Sequence, residues 1–354
     1  MNPISVCIIA KNEEMRIERL LKSLQPFPFE IVLVDTGSCD RTKEIASNYA
    51  NSIYDYSWNN NFSDARNFSL QKAKHDWIFM MDSDEWIETL DLSELYYFQK
   101  NLSSSVGSVT RNNITGTPEH PGATIDYTER FFNRKLYHYT GRIHEQLTPK
   151  SGTSFETLLL NTSIGHDGYL MTEEQRLQKA NRNISLLLEE LKESPDHPYL
   201  LYQLGKGYEM ISDSKTACQY YHDALTHELD VSLAYVQSLV LSYGELLAKT
   251  DSNSALSFLQ KYSEALSDNA DYLYLLGCIC YQSKNYEKAL ALQEKALTCP
   301  SGKKAGTNSF LPRYEIGKIL CLISEWQLAR QYFKQCGNYP PALQALQVLD
   351  EESV

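Results

Sequence analysis

The first 86 residues alternate short apolar runs with amphipathic stretches, and that alternation narrows the fold more than any compositional figure. The runs are Ile4 to Ala10, Glu30 to Asp35, Ile53 to Tyr56 and Trp77 to Met81. Between the first two lie Ile17, Leu20, Leu21 and Leu24 at helical spacing, stopped by Pro26 and Pro28. A short helix from Arg41 to Tyr49, with Asp40 as its N-cap, follows the second run. Another opens at Ser63 and runs to about Lys74. Strand and helix in strict turn predict a doubly wound, mostly parallel α/β sheet. Trp77 to Met81 has no polar break, as expected of a strand buried on both faces.

In such a sheet the carboxyl ends of the strands border one ligand crevice. Here those ends carry Lys11 and Asn12, then Asp35, then Asp82 and Asp84 with Glu85 beside them. Crowded carboxylates at a strand end are costly to bury without a cation. A hard divalent ion, held by one or two carboxylates and by substrate phosphates, meets that need. Taken alone, the Asp-x-Asp triplet also fits a solvated acidic turn. No G-x-G-x-x-G follows the first strand and no G-x-x-x-x-G-K-[ST] occurs, so neither dinucleotide nor P-loop chemistry is indicated. Gly205-Lys206-Gly207 lies in a helical stretch.

The formal net charge of -12 argues against nucleic acid or an anionic membrane as the main partner. No apolar run approaches the ~20 residues of a membrane span. The N-terminal run is cut short by Lys11-Asn12-Glu13-Glu14, unlike a signal peptide, and we expect a cytoplasmic protein. The eight cysteines form no C-x-x-C pair and read as small core thiols.

After Trp86, Leu90 to Lys100 reads as a helix, and Asn101 to Ala123 as a loop with a short strand over Val106 to Arg111. A long irregular stretch in a compact domain is usually functional, and this one is expected on the acceptor side. Tyr127 to Leu136 reads as a strand. The block Gly141-Arg142-Ile143-His144-Glu145 follows. Phe155 to Ile164 is a further strand, ending at Gly165-His166-Asp167-Gly168.

Four blocks, Ser5 to Glu14, Val34 to Thr42, Ala65-Arg66-Asn67 and Met81-Asp82-Ser83-Asp84-Glu85, together resemble glycosyltransferase family 2, with the GT-A fold. The resemblance covers roughly the first half of the chain. It implies a nucleotide-sugar donor, a UDP-sugar above others, with Mg²⁺ or Mn²⁺ and an inverting displacement. Ala10, Asn12 and Glu13 would border the nucleoside, and Asp35 would bond its base or ribose. Arg66 would lie near the nucleotide. Asp82, Ser83 and Asp84 would form the metal and diphosphate motif. The family often takes a third metal ligand from a late His or Asp, which points to His166, with Asp167 as the alternative. Inversion needs a base for the acceptor proton opposite the leaving diphosphate. The Gly-x-Ile-His-Glu block resembles one in family members that carry helical repeats, and Glu145 is the expected base, with His144 second.

From Thr172 the pattern changes. Thr172 and Gln175 make a capping box for a helix to about Glu193. Beyond it Gly205, Gly277 and Gly317 are each followed 12 residues later by Ala217, Ala289 and Ala329, with a degenerate copy around Gly244 and Leu256. The glycine steps are 39, 33 and 40 residues, near the tetratricopeptide period of ~34. Small residues let paired helices approach closely, and stacked pairs bury what one pair cannot. We therefore expect a catalytic domain over residues 1–172 and an all-α, tetratricopeptide-like domain over 173–354.

The expected activity is transfer of a sugar to a protein or peptide acceptor, because stacked repeats offer a concave surface for extended chains. The combination resembles bacterial enzymes that glycosylate bacteriocin peptides. A cell-surface glycan precursor is the alternative acceptor. An inactive repeat scaffold is a second alternative, against which the intact Asp82, Asp84 and Glu145 argue. A nucleotidylyltransferase would need a basic, Gly-rich N-terminal loop that is missing. The repeats are also where two protomers could pair.

Overall fold

The computed structural model describes residues 3–117, 120–170, 172–300 and 302–351. The chain divides into two compact units, residues 1–193 and 194–354. The first contains β1 (Ile4–Ala10), α1 (Ile17–Leu24), β2 (Glu30–Asp35), α2 (Thr42–Ala46), β3 (Ser52–Asp55), α3 (Phe62–Lys72), β4 (Trp77–Asp82), β5 (Glu85–Thr89), α4 (Leu92–Asn101), β6 (Val106–Thr117), β7 (His120–Asn133), β8 (Tyr137–Thr140), β9 (Gln146–Pro149), β10 (Thr157–Leu170) and α5 (Glu173–Glu193). Eight strands form one sheet in the order β3-β2-β1-β4-β7-β6-β10-β5, and β8 with β9 form a small second sheet.

The first four strands run parallel, as their alternation with helices demands. Their side chains point alternately to two buried faces. Val6, Ile8, Phe79 and Met81 pack with Leu20, Leu21 and Leu24 of α1 and with Phe98 of α4. Cys7, Ile78 and Met80 pack on the other face with Leu70 of α3 and with Tyr137 and Tyr139 of the small sheet. Both faces being covered explains the unbroken apolar run in β4.

Beyond β4 the sheet turns mixed. The stretch expected as a loop from 101 to 123 is instead most of a long hairpin. Strands β6 and β7 pair antiparallel from Gly107↔Phe131 to Thr117↔His120, with residues 118–119 outside the described set. The Ser, Asn, Gly and Thr that suggested a loop alternate with Val109 and Ile114, and cross-strand pairing outweighs their turn preference. Strand β10 is also longer than its apolar stretch. His166 pairs with Asn113 of β6 on one side and with Glu85 of β5 on the other, so the strand carries on past Ile164. β5, β8 and β9 were not anticipated.

Helix α5 begins with the expected reciprocal cap. The backbone N–H of Thr172 donates to Gln175 Oε1 at 3.0 Å, and that of Gln175 to Thr172 Oγ1 at 3.3 Å. It groups with the first unit, so the division of the chain falls after Glu193 and not at the change in sequence pattern.

The second unit holds α6 (Pro198–Met210), α7 (Ser214–Ala224), α8 (Ala234–Ala248), α9 (Ser252–Gln260), α10 (Ala270–Gln282), α11 (Tyr286–Ala296), α12 (Phe310–Leu322), α13 (Trp326–Lys334) and α14 (Pro340–Glu351). The glycines sit where paired helices touch. A Cβ on Gly205 would come within 2.2 Å of Tyr221, and one on Gly317 within 2.4 Å of Phe333. Ala217, Ala289 and Ala329 are fully buried. In the degenerate unit Gly244 faces Leu259, and the buried small residue is Ala255. No described helix is long and apolar enough to cross a membrane.

Candidate active site

The parallel strands deliver their carboxyl-end residues to one edge of the sheet. Asp35 ends β2 and is almost fully buried. Its Oδ2 accepts from the backbone N–H of Gly37 at 3.1 Å and of Ser38 at 2.9 Å. Its Oδ1 is buried without a hydrogen-bond partner. A buried acceptor left open costs about 1–3 kcal/mol, and an N–H or hydroxyl of a ligand would satisfy it. Asn12, just past β1, holds the adjoining turn: its Oδ1 accepts from Cys39 N–H, and its own N–H donates to Ser38 Oγ, both at 2.9 Å. Ala10 is buried in β1 and accepts from Thr36 N–H at 2.9 Å. Asn12 and Ala10 thus shape the turn that carries Asp35. Glu13 lies nearer the acidic motif. Burial first, and then Asp84, push its pKa up, while the Ser83 hydroxyl bonds to it and opposes this.

The two aspartates of the motif have different partners. Asp82 is gripped by two arginines, with Arg66 Nη2 donating to Oδ1 at 2.6 Å and Arg130 Nη2 to Oδ2 at 2.7 Å. Burial alone would raise the Asp82 pKa, but Arg130 and Arg66 outweigh it and hold the carboxyl well below the usual range. Arg130 also donates to Glu85 Oε1, and Glu85 Oε2 accepts from Asp82 N–H at 2.9 Å. Glu85 is fully buried, and desolvation pushes its pKa up despite Arg130.

Asp84 turns instead toward His166. Its Oδ2 lies 3.4 Å from His166 Nε2. The other ring nitrogen, Nδ1, is 2.7 Å from Asn113 Oδ1; with the proton on Nδ1, a neutral ring would turn the Nε2 lone pair toward Asp84. A carboxylate oxygen and an imidazole lone pair facing one another suit a divalent cation, and Asn113 is the outer partner that orients such a ligand. Among the described residues no three His, Cys, Asp or Glu side chains cluster to hold an ion. Two protein donors could hold a divalent ion only with other ligands, such as phosphates and water, completing its shell. Gly168 keeps this place open, because a Cβ there would come within 2.0 Å of Asp84 Oδ2.

Glu145 reaches the same cluster from the loop between β8 and β9. Arg66 Nε donates to its Oε1 at 2.5 Å, so one buried guanidinium joins Glu145 to Asp82. Arg66 Nη1 remains buried without a hydrogen-bond partner. The loop is pinned from both sides. Ser63 Oγ donates to Gly141 O at 2.5 Å, and Arg142 N–H donates to Glu190 Oε2 of α5 at 2.9 Å. His144 adopts φ 52° within it and is exposed. Solvent reaches the side chain, yet the protein packed around it still lowers its pKa, chiefly by partial desolvation and further by Lys179 and Arg182 of α5, with Glu145 opposing. Asp167 is occupied elsewhere, in ion pairs with Arg16 at 3.1 Å and Arg19 at 2.7 Å. An open cavity of about 590 Å³ lies apart from all of this, lined by Leu70, Arg134 and Tyr137.

The structure thus brings Arg66, Asp82 and Glu145 into one ion-paired group and Asp84 and His166 into another. Three contributors were not anticipated from sequence: Arg130, Asn113 and Lys179. Arg130 did carry a signal, as a charge next to Phe131 and Phe132 in a strand that must be buried. Asn113 is recognisable only once the β6–β10 register is known.

Residues 5–157 match the family model described as glycosyl transferase family 2. The SPbeta prophage-derived glycosyltransferase SunS of Bacillus subtilis (strain 168) is 26% identical over 257 residues, 70% of this chain and 60% of that protein. This chain therefore spans less than two thirds of that relative's length. A TPR repeat-containing protein of Synechococcus elongatus is 26% identical over 294 residues, 78% of this chain and 69% of that one. Among solved structures, MamA aligns with 52% of this chain and 98% of its own at 22% identity and a TM-score of 0.38.

Proposed function

We propose, on the premise that residues 5–157 form a glycosyl transferase family 2 domain, that this chain transfers a sugar from a nucleoside-diphosphate donor to a peptide or protein. The single observation that carries the reading is the pairing of Asp84 with His166 on the same sheet edge as the buried, half-satisfied Asp35, which ends β2 two strands away from β4. One place suits a cation and diphosphate, the other a nucleoside. Asp35 Oδ1 would accept from the base or ribose. Asp84 and His166 would hold Mg²⁺ or Mn²⁺, which when bound offsets the charge on the departing diphosphate.

The remaining roles fall to the chain's own side chains. Arg66 and Arg130 fix Asp82 and so the turn that aims Asp84. Glu145, oriented by Arg66, takes the acceptor proton while the acceptor attacks the anomeric carbon from the face opposite the diphosphate, giving inversion. His144 borders the same place with its pKa lowered. The stacked helix pairs of the second unit supply the acceptor-binding surface, a use common to such arrays.

The test is thermal unfolding with UDP and Mn²⁺. Ligand at 100 times its Kd should add about 2.7 kcal/mol of apparent stability to the wild type. Asp84→Asn should lose the metal-dependent part of that gain while unfolding normally without ligand. A variant stabilised by UDP and Mn²⁺ as wild type is would remove Asp84 from the metal site.

A further inference from the structure

Helix α5 lies beyond the residues matched to the family, yet it sends charge into the site. Lys179 Nζ donates to the carbonyl oxygen of Gly168 at 3.4 Å. Gly168 is the residue packed against Asp84 and His166, since a Cβ on it would meet Asp84 Oδ2 at 2.0 Å and His166 Nε2 at 2.5 Å. The ammonium therefore reaches the backbone of the residue that packs on Asp84 and His166. Burial lowers the Lys179 pKa first; the Asp84 and Asp82 carboxylates oppose that, and Arg182 and Arg16 add to it. Lys179 also acts on His144, next to the expected base. A partly buried lysine that feels the charge of an acidic motif supplies a point charge suited to a phosphate oxygen.

We propose that Lys179 forms a phosphate site of its own, contacting the distal phosphate of the nucleoside diphosphate in both donor and product. This rests on the donor reading above. In the reaction the bond between the anomeric carbon and the β-phosphate oxygen breaks, and its electron pair stays on that oxygen. The acceptor atom forms the new bond, and its proton passes to the base. Lys179 meets the oxygen on which charge accumulates, so its contact strengthens as the bond breaks. Uncharged sugar and nucleoside gain nothing from it.

Calorimetric titration of the full chain in Mn²⁺ separates the possibilities. UDP and GDP are compared with UMP and GMP on wild type, Lys179→Met, Lys179→Gln and Lys179→Arg, each checked for unchanged thermal unfolding. Loss of a charge-assisted contact should weaken diphosphate binding by about 10- to 100-fold in the Met and Gln variants. Monophosphate binding should stay as in wild type, and Arg should recover most of the loss. Unchanged diphosphate affinity, or equal loss for mono- and diphosphates, would overturn the assignment while leaving the donor reading in place. A wild type that binds none of the four nucleotides would overturn the donor reading and this site with it.

Discussion

A single guanidinium decides how two acidic groups behave. Arg66 bonds Glu145 and Asp82 at once, so removing either partner leaves a buried charge less well matched. Glu145→Gln keeps the shape and should spare nucleotide binding, while lowering transfer by about 10²–10⁴-fold if Glu145 is the base. Donor titration and single-turnover transfer on one sample check this, and full turnover would pass the role to His144. Asp82→Asn should act on stability as well. The folded-state pKa of Asp82 is depressed, so its stabilisation is present above the unfolded value of about 3.9 and is lost as pH falls toward the folded one. The gap between wild type and variant, on the order of 3 kcal/mol at neutral pH, should narrow below about pH 4 in urea titrations. A gap constant across that range would mean that Asp82 is not held ionised by its arginines. The placement of the candidate carboxylates was legible in the chain, because Asp35, Asp82 and Asp84 stand at or just past the ends of recognisable strands. What joins them was not. Arg130, Asn113 and Lys179 reach the site through strand register and helix placement, which no local pattern reports.

At the scale of elements, apolar period and flanking residues indicated β1 to β4, α5 and the helix pairs, where local preference and tertiary packing agree. The β6–β7 hairpin was missed because its residues favour turns, and only pairing with neighbours makes them strands. The helix pairs allow a test of why their glycines are present. Glycine inside a helix normally costs about 1 kcal/mol against alanine, so Gly205→Ala would stabilise an isolated α6. In the folded chain the new Cβ would fall within 2.2 Å of the Tyr221 ring. Gly205→Ala should therefore lower stability by about 1–3 kcal/mol, the usual result of overpacking. Pairing it with Tyr221→Leu should recover part of that loss. Denaturant midpoints of both variants decide the point, and a more stable Gly205→Ala would show that the ring moves aside freely.

For the molecule as a whole, the first unit carries its own two-sided core and every residue assigned to the donor. A chain ending at Glu193 should bind UDP with Mn²⁺ as the full protein does, whereas one ending at Met171 lacks Lys179 and should bind it more weakly. Both should lose acceptor transfer. Calorimetry, transfer assays and light scattering on the same samples check this. A soluble monomer ending at Glu193 that still modifies its acceptor at full rate would assign the repeats to pairing protomers instead. The glycine contacts of the second unit have a longer consequence. Each helix pair closes on its own small residue, Gly205 on Tyr221, Gly244 on Leu259, Gly277 on Gln293 and Gly317 on Phe333. A lineage can therefore duplicate or delete one such pair as a cassette, since each pair brings its own closure with it.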